Sequence, residues 1–411
     1  MRSASPLFLL ALLLAGPAAP ARGQGRPPSR LDAALEAWFA APAGEEPRLP
    51  PEAARLLRRD FDAFRERAWT AWKASPAVQE WIRDHEERRV RHGALTSPYT
   101  LKRVGERPEN GWPLVIALHG GGGVPPEVND QQWRHMQIYY RDHPGVSGYL
   151  YLALRAPDDT WNGFYKDAFY PLLQRLRMQL LAAEEVDPDR VILIGYSHGG
   201  YGVFACAPKM PDLFATAHAS AAAPTDGQSD PLGLHDLPFS FFCGEKDTAY
   251  GRIERCRRFA AALEELRTEH PGAFPFTWRE FPAHGHTGLP DRDRLAELLP
   301  HRRRAWPPQL WWRTTDGVIE DHYWLRLPAP EAGLRIEVSL EDGVLRIEGP
   351  ERPLEIALGE ELHPPGAPLR LEGKGRSRRL RPRPEPEAAL RHLRRRGDPA
   401  LMPWAVLRLE P

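Results

Sequence analysis

The chain has 411 residues, which is enough for a large hydrophobic core and for two domains. Lys plus Arg and Asp plus Glu number 55 each, so the formal net charge is zero. This balance gives no electrostatic reason to expect nucleic acid or an anionic membrane surface as a partner. The apolar content of 42% is that of a folded, soluble protein.

The first 21 residues have the pattern of a secretory signal peptide. Arg2 precedes an apolar run at 7–14, and small residues that end in Ala21 follow it. The run is too short to span a bilayer as a stable helix, and no later segment is long and apolar enough to do so. We therefore expect residues 1–21 to be a signal peptide and the mature protein to be secreted or periplasmic, with no membrane span.

Helical periodicity dominates the next part of the chain, 22–97. A linker rich in Pro, Gly and Arg at 22–29 precedes apolar residues at helical spacing near 30–41, 51–74 and 76–91. We predict an N-terminal helical extension that packs on the main domain.

Strands and helices alternate over 98–305. This alternation predicts an α/β domain with a mostly parallel sheet and helices on both faces. The predicted strands are 99–104, 112–118, 148–154, 190–194, 215–221, 239–243 and 276–281, and the predicted helices are 129–142, 162–185, 252–269 and 292–300.

The pattern changes again in the last part of the chain. Apolar and polar residues alternate at 334–340, Asp342 and Gly343 form a turn, and the alternation continues beyond it. We predict a small β-sandwich over 316–411.

The sequence Gly-Tyr-Ser-His-Gly at 195–199 predicts a nucleophile elbow. It follows the aliphatic run 191–194 and precedes a segment rich in Gly and Ala. In such a turn a serine is held on a strained bend between a strand and a helix, so its hydroxyl projects from the sheet. Ser197 is therefore the candidate nucleophile.

A serine hydroxyl needs a base within hydrogen-bond reach and a third group that orients the base. Asp247 follows the predicted strand 239–243 and is the preferred acid, with Glu245 and Asp226 as weaker alternatives. The base comes from His284 or His286, just beyond the last predicted strand, and we prefer His286.

A His-x-His pair can also chelate zinc. No Cys or His cluster supplies a third ligand, so we expect neither a metal nor another cofactor. The three cysteines, Cys206, Cys243 and Cys256, have uninformative spacing; they are buried thiols or, after export, leave room for one disulfide between Cys243 and Cys256.

Four glycines at 120–123 follow the predicted strand 112–118 and leave backbone amides unshielded. We assign the oxyanion hole to the amides of Gly121 and His198. A phosphate-binding loop is the rival interpretation, but no Gly-Lys-Ser/Thr follows. Trp133 and Trp161 are candidates for the walls of a substrate pocket, beside Phe164 and Tyr165, and core packing is the alternative for each of them.

The order Ser197, Asp247, His286 and the elbow region 187–200 resemble the α/β-hydrolase superfamily over about 98–300. The likeness is greatest to secreted esterases of the feruloyl-esterase and polyhydroxybutyrate-depolymerase type and to prolyl-oligopeptidase-like catalytic domains. The chain departs from them at His198, where an apolar residue is usual, and at His284.

The resemblance implies a secreted serine hydrolase that cleaves carboxylic esters of a small molecule or a polymer through an acyl-enzyme on Ser197. Two alternatives stay open: a serine peptidase of the prolyl-oligopeptidase-like type, and an inactive exported binding protein on a hydrolase scaffold. The sequence leaves the oligomeric state undetermined.

Overall fold

The computed structural model describes residues 29–141, 145–373 and 376–410. The predicted signal peptide at 1–21 lies outside these residues. None of the helices within them is both long enough and apolar enough to cross a membrane.

Four helices open the described chain. Ser29 and Asp32 form a capping box at the first helix, and the second and fourth helices begin at a proline, which suits the first helical position. The predicted helix 51–74 is broken at Asp60, whose carboxylate accepts a hydrogen bond from the amide of Ala63 and caps the third helix. The four helices are α1 (Arg30–Ala40), α2 (Pro51–Arg59), α3 (Phe61–Ala74) and α4 (Pro76–Glu86).

The central sheet has eight strands. Six neighbouring strands are parallel, and they lie in the order β4-β3-β5-β6-β7-β8. Strands β2 and β1 add an antiparallel edge beside β4. Every residue of β3 and β4 is buried, as expected of strands covered on both faces. The strands are β1 (Arg89–His92), β2 (Leu95–Val104), β3 (Trp112–Leu118), β4 (Tyr149–Leu154), β5 (Val186–Tyr196), β6 (Thr216–Ser220), β7 (Phe239–Gly244) and β8 (Phe276–Phe281).

Helices cover both faces of this sheet, which confirms the predicted α/β class. One apolar core lies between the sheet and the helices α6, α7 and α8, and another lies between the opposite face and α5 and α9. These helices are α5 (Pro126–Tyr139), α6 (Phe169–Ala183), α7 (His198–Lys209), α8 (Arg252–Glu269) and α9 (Leu295–Leu298).

Several predicted boundaries are wrong. Helix α4 ends at Glu86 instead of continuing to 91, because Arg88 adopts a left-handed backbone with φ 54° and turns the chain into β1. The sheet therefore starts before the predicted domain boundary at 98. Helix α6 starts at Phe169, after turns that occupy 162–168, and α9 is a single turn within the predicted 292–300.

The C-terminal domain has two packed sheets, as predicted. One has the order β10-β11-β14-β17 and the other β16-β15-β13-β12-β9. The turn at Asp342 and Gly343 joins β12 to β13 with positive φ at both residues. The elements are β9 (Gln309–Arg313), β10 (Asp321–His322), β11 (Leu325–Arg326), β12 (Arg335–Glu341), β13 (Val344–Glu348), β14 (Leu354–Leu358), β15 (Leu369–Gly373), β16 (Arg376–Leu380), α10 (Pro386–Arg396) and β17 (Ala405–Leu409).

Strand β9 pairs with β12, so this domain begins before the predicted start at 316. Helices α1, α2 and α3 share its core, where Trp38 and Trp72 are buried with Trp324 and Trp404. The prediction that the N-terminal extension packs on the main domain holds for α4, which contacts α6 and β1. An amphipathic face specifies that a helix is buried, but it does not specify against what.

Candidate active site

Ser197 stands between the end of β5 and the start of α7, with φ 55° and ψ −118°. A non-glycine residue with positive φ is strained, and such strain concentrates at functional sites. The turn is tight because α7 passes very close to the sheet: a Cβ on Gly195 would lie 2.3 Å from the carbonyl oxygen of Gly199, and a Cβ on Gly199 would lie 2.1 Å from that of Leu118. The amide of Ser197 donates to the carbonyl oxygen of Ser220 on β6 at 2.8 Å.

Three of the predicted side chains form a continuous hydrogen-bonded chain. Ser197 Oγ lies 2.9 Å from Nε2 of His286, and Nδ1 of His286 lies 2.8 Å from Oδ2 of Asp247. With the proton on Nδ1, the imidazole donates to the carboxylate and presents an acceptor nitrogen to the serine hydroxyl. This is the arrangement in which a carboxylate fixes the tautomer and orientation of a histidine base.

Asp247, the carboxylate that contacts His286, is buried and has a second hydrogen-bond partner. Oδ1 of Asp247 accepts a hydrogen bond from Nη1 of Arg252 at 2.7 Å. Burial opposes the charged carboxylate, but the hydrogen bonds and charges of His286 and Arg252 more than offset it, so the pKa of Asp247 lies below its usual range. The carboxylate is therefore ionised at neutral pH.

The alternatives for acid and base lie elsewhere. Nδ1 of His284 lies 2.9 Å from the carbonyl oxygen of Pro282, and its ring packs near Phe281. Glu245 accepts a hydrogen bond from the amide of Ala283 at 2.9 Å and so holds the loop that carries His286. Asp226 is exposed in the loop after β6.

The glycine loop after β3 faces the elbow. Gly121, Gly122 and Gly123 all have positive φ, at 107°, 76° and 62°. The amides of Gly122 and Gly123 have protein acceptors. Across residues 29–141, 145–373 and 376–410, no backbone or side-chain acceptor takes the amide of Gly121 or of His198.

Asn129, on α5, holds this loop, and sequence reasoning missed it. Its Oδ1 accepts from the amide of Gly122 at 2.8 Å, and its Nδ2 donates to Asp159 Oδ1 at 2.8 Å and to the carbonyl oxygen of Val124 at 3.2 Å. The side chain is 1% exposed. A polar residue at the predicted start of a helix beside a glycine run was the available signal.

Two buried histidines flank the glycine loop. His119 accepts from the amide of Ala156 at Nε2, at 3.0 Å, and burial lowers its pKa to about 3. His198 packs against Phe164 at a centroid distance of 4.9 Å, and burial lowers its pKa to about 4. Both imidazoles are therefore neutral at pH 7.

The two tryptophans predicted to line a substrate pocket lie in different surroundings. Trp161 is 40% exposed, and its ring centroid lies 6.2 Å from that of His198 and 5.4 Å from that of Tyr250, which is 69% exposed. Together with Tyr201 these rings form an aromatic wall beside the elbow. Trp133 instead donates from Nε1 to the carbonyl oxygen of Ala153 at 2.9 Å and packs α5 on the sheet, so a pocket role for it stays a prediction.

The cysteines are free and buried. Burial raises the pKa of Cys256, and the neighbouring Cys243 raises it further, so this thiol is protonated at neutral pH; its Sγ donates to the carbonyl oxygen of Ala222 at 3.0 Å. Within the described ranges, no group of three or more His, Cys, Asp or Glu side chains has the geometry to hold a metal ion. A separate cleft of about 560 Å³, lined by paired charges such as Asp84 and Arg91, lies between α4, α6 and the C-terminal domain.

No protein-family model matches the sequence, and no curated protein matches it. Solved structures do match. A thermostable esterase is 22% identical, with 50% of this chain and 54% of that chain covered and a TM-score of 0.38. A dipeptidyl aminopeptidase IV homologue from Bacteroides ovatus is 14% identical, with 51% and 34% covered and a TM-score of 0.38. A poly(3-hydroxybutyrate) depolymerase from Bordetella parapertussis is 19% identical, with 49% and 82% covered and a TM-score of 0.36.

This chain thus spans about half the length of that esterase and about a third of that peptidase homologue. The fold itself is that of an α/β-hydrolase. The sheet order with one antiparallel edge, the serine elbow after β5 and the acid and histidine after later strands define it.

Proposed function

We propose that the protein is a serine hydrolase that cleaves carboxylic esters through an acyl-enzyme formed on Ser197. The observation that carries the proposal is the hydrogen-bonded chain from Ser197 Oγ through His286 to Asp247, at 2.9 and 2.8 Å, on a strained elbow. A hydroxyl in this setting can lose its proton to the imidazole as it attacks.

In the first half of the reaction, Ser197 Oγ attacks the ester carbonyl carbon and its proton passes to Nε2 of His286. The carbonyl oxygen becomes an oxyanion, which accepts hydrogen bonds from the amides of His198 and Gly121. His286 then gives the proton to the departing alkoxide, so an alcohol leaves and the acyl group stays on Ser197. Asp247 stabilises the imidazolium and does not take its proton.

In the second half, water takes the place of the alcohol. His286 removes a proton from the water as the water oxygen attacks the acyl carbon. His286 then gives this proton to Ser197 Oγ as the bond between the acyl carbon and Oγ breaks. The products are a carboxylic acid and the regenerated serine. The oxyanion donors act in both halves, and loss of one such donor typically costs about 3 kcal/mol of transition-state stabilisation.

The aromatic wall supports an apolar substrate group next to the scissile ester. Trp161 and Tyr250 are both exposed although they are large and apolar. Trp161 lies beside His198, the neighbour of the nucleophile, and Tyr250 lies beside Trp161. Flat aromatic faces bind apolar groups well. Either a small-molecule ester or an ester group of a polymer fits a wall that is open to solvent.

The proposal is tested with matched esters and amides. The purified mature chain is assayed on p-nitrophenyl esters of short and aromatic acids and on aminoacyl p-nitroanilides, next to Ser197→Ala and, as a control, Ser339→Ala in β12. We expect ester hydrolysis in wild type and Ser339→Ala, and a loss of about a thousandfold or more in Ser197→Ala.

Three results would contradict the proposal. Equal ester hydrolysis in Ser197→Ala would remove the serine from the mechanism. Comparable turnover of anilides and esters would favour a peptidase, since amides are the less reactive class. A folded protein that turns over neither class would favour a binding protein.

Export is part of the same proposal and depends on the sequence of residues 1–21. N-terminal sequencing of the protein recovered from the producing cell's exterior or periplasm tests it. Cleavage after the small residues near Ala21 is expected, and an intact Met1 on protein retained in the cytoplasm would oppose it.

A further inference from the structure

Arg252, at the start of α8, occupies the position behind the acid of the site. Its side chain is buried, and its Nη1 donates to Oδ1 of Asp247 at 2.7 Å. The other carboxylate oxygen, Oδ2, accepts from Nδ1 of His286 at 2.8 Å. The carboxylate is thus held between an imidazole and a permanent cation, one on each oxygen.

Further contacts fix the guanidinium itself. Nε of Arg252 donates to the hydroxyl of Tyr201 on α7 at 3.1 Å. The guanidinium carbon lies 5.0 Å from the ring centroid of Tyr250 and 5.8 Å from that of Tyr201, within the range of cation–π contacts. Arg252 therefore links Asp247 to the aromatic wall beside the elbow.

We propose that Arg252 is a positioning residue for the hydrogen-bonded side chains Ser197, His286 and Asp247, called the relay below. It acts on them through its hydrogen bond to Asp247 and its positive charge. It fixes Asp247 and offsets part of the negative charge of the carboxylate, so that the pH profile of the reaction depends on the cation. The proposal rests on the proposed function, because the relay is the one assigned there to ester cleavage.

The physical reason is the interaction of three charges. A carboxylate beside an imidazolium stabilises the added proton, and a cation on the far side of the carboxylate opposes it. Because Asp247 and Arg252 are 2% and 5% exposed, water screens the two charges poorly. Without the cation, the carboxylate stabilises the imidazolium with its full negative charge.

Other charged and titratable groups lie near Asp247 and His286, and they are the same in wild type and in the Arg252 variants. The hydroxyl of Tyr196 on β5 donates to the carbonyl oxygen of His286 at 2.7 Å, and burial raises the pKa of Tyr196, so it stays neutral. The other charged or titratable neighbours are Tyr201 on α7, Cys243 on β7, Glu245 and Lys246 in the loop that carries Asp247, Arg255 and Cys256 on α8, His284 in the loop that carries His286, and Asp291 further along the chain.

The experiment follows the rate of covalent labelling of Ser197 by a fluorophosphonate from about pH 5 to about pH 9, which needs no knowledge of the substrate. Wild type is compared with Arg252→Met and Arg252→Gln, which lack the charge, and with Arg252→Lys, which keeps it. Arg258→Met, an exposed arginine on the same helix, is the control.

In the two neutral variants we expect the midpoint of the acidic limb to move up by about half a pH unit to one unit, and the plateau rate to fall on the order of tenfold. In Arg252→Lys and Arg258→Met we expect the wild-type midpoint. A lower plateau rate with an unmoved midpoint in the neutral variants would overturn the proposal, since packing alone would explain it. A lysine variant that shifts as far as the neutral ones would overturn it as well.

The two neutral variants differ in shape and hydrogen bonding, so one remains if the other does not fold, as judged by circular dichroism. Failure of the proposed function has a different signature. In that case the folded wild type is not labelled at any pH, whereas failure of the Arg252 proposal leaves a labelled wild type and no shift in the variants.

Discussion

The side chain of Asn129 accepts a hydrogen bond from the amide of Gly122 at 2.8 Å, and Asn129 is almost completely buried. A residue of α5 thereby fixes the glycine loop that packs against His198 of the elbow, and within the described residues no acceptor takes the neighbouring amide of Gly121. The position of Gly121, which we propose as an oxyanion donor, thus depends on a side chain outside the proposed catalytic residues Ser197, Asp247 and His286.

Asn129→Ala should loosen this loop. The amide of Gly122 loses its buried acceptor, which costs about 1 to 3 kcal/mol in free energy of unfolding. We expect kcat for ester hydrolysis to fall by about tenfold or more, because a misplaced oxyanion donor weakens transition-state binding. Steady-state kinetics and urea unfolding measure the two effects. The exposed Asn110→Ala is the control, and an Asn129→Ala enzyme with wild-type kcat would contradict the expectation.

The two histidines of the loop after β8 should differ sharply. His286→Ala removes the group that lies 2.9 Å from Ser197 Oγ, whereas His284→Ala removes a ring that contacts Pro282 and Phe281. We expect a loss of about a thousandfold or more in kcat/KM for the first variant and less than about threefold for the second. If His284→Ala were the inactive variant, the assignment of the base would be wrong.

Glycine-to-alanine substitutions should separate packing from function. Gly199→Ala places a Cβ 2.1 Å from the carbonyl oxygen of Leu118, so α7 must move off the sheet. Gly285→Ala meets nothing within 4 Å, although it lies next to His286. We expect Gly199→Ala to lower the free energy of unfolding by about 2 kcal/mol or more, or to prevent folding, and Gly285→Ala to change it by less than about 1 kcal/mol. Thermal unfolding of both variants tests this, and equal stabilities would contradict it.

His198 should make the fold sensitive to acid. Burial lowers its pKa to about 4 in the folded chain, whereas an unfolded histidine has a pKa near 6.5. The unfolded chain therefore binds this proton first, and stability is lost as the pH falls from about 6.5 to about 4. At about 1.4 kcal/mol per pH unit, the loss through this residue reaches about 3 kcal/mol.

His198→Met replaces the imidazole by an apolar side chain that has no proton to bind. We expect its free energy of unfolding to fall less between pH 6.5 and pH 4.5 than that of wild type, by about 2 kcal/mol. Urea unfolding at the two pH values measures the difference. The same pH dependence in both proteins would mean that His198 does not resist protonation in the fold.

Much of the fold follows from local patterns in the sequence. The bounds of β3, β8 and α8 coincide with the predicted ranges, since a buried apolar run or a long periodic segment leaves little freedom. Ser197, Asp247 and His286 could be selected because each follows a strand, and the carboxyl ends of parallel strands meet at one edge of the sheet.

The rest depends on contacts between distant parts of the chain. Asn129 and Arg252 are each one of several polar residues on their helices. Only the folded chain shows that Asn129 contacts the glycine loop and that Arg252 contacts Asp247. The packing of α1 to α3 on the C-terminal domain has the same origin. Trp133 and Trp161 have equal apolar character, and the sequence does not distinguish which ring packs in the core and which stays exposed.

The most direct test of the central claim is covalent labelling of the purified mature protein by a fluorophosphonate at neutral pH, followed by peptide mass mapping, with Ser197→Ala alongside. An activated serine attacks the phosphorus, loses its own proton to the base and displaces fluoride, so the label reports the nucleophile whatever the substrate. The account predicts a label on the peptide that contains Ser197 and none in Ser197→Ala. A folded protein that takes no label, or a label that persists in Ser197→Ala, would contradict it.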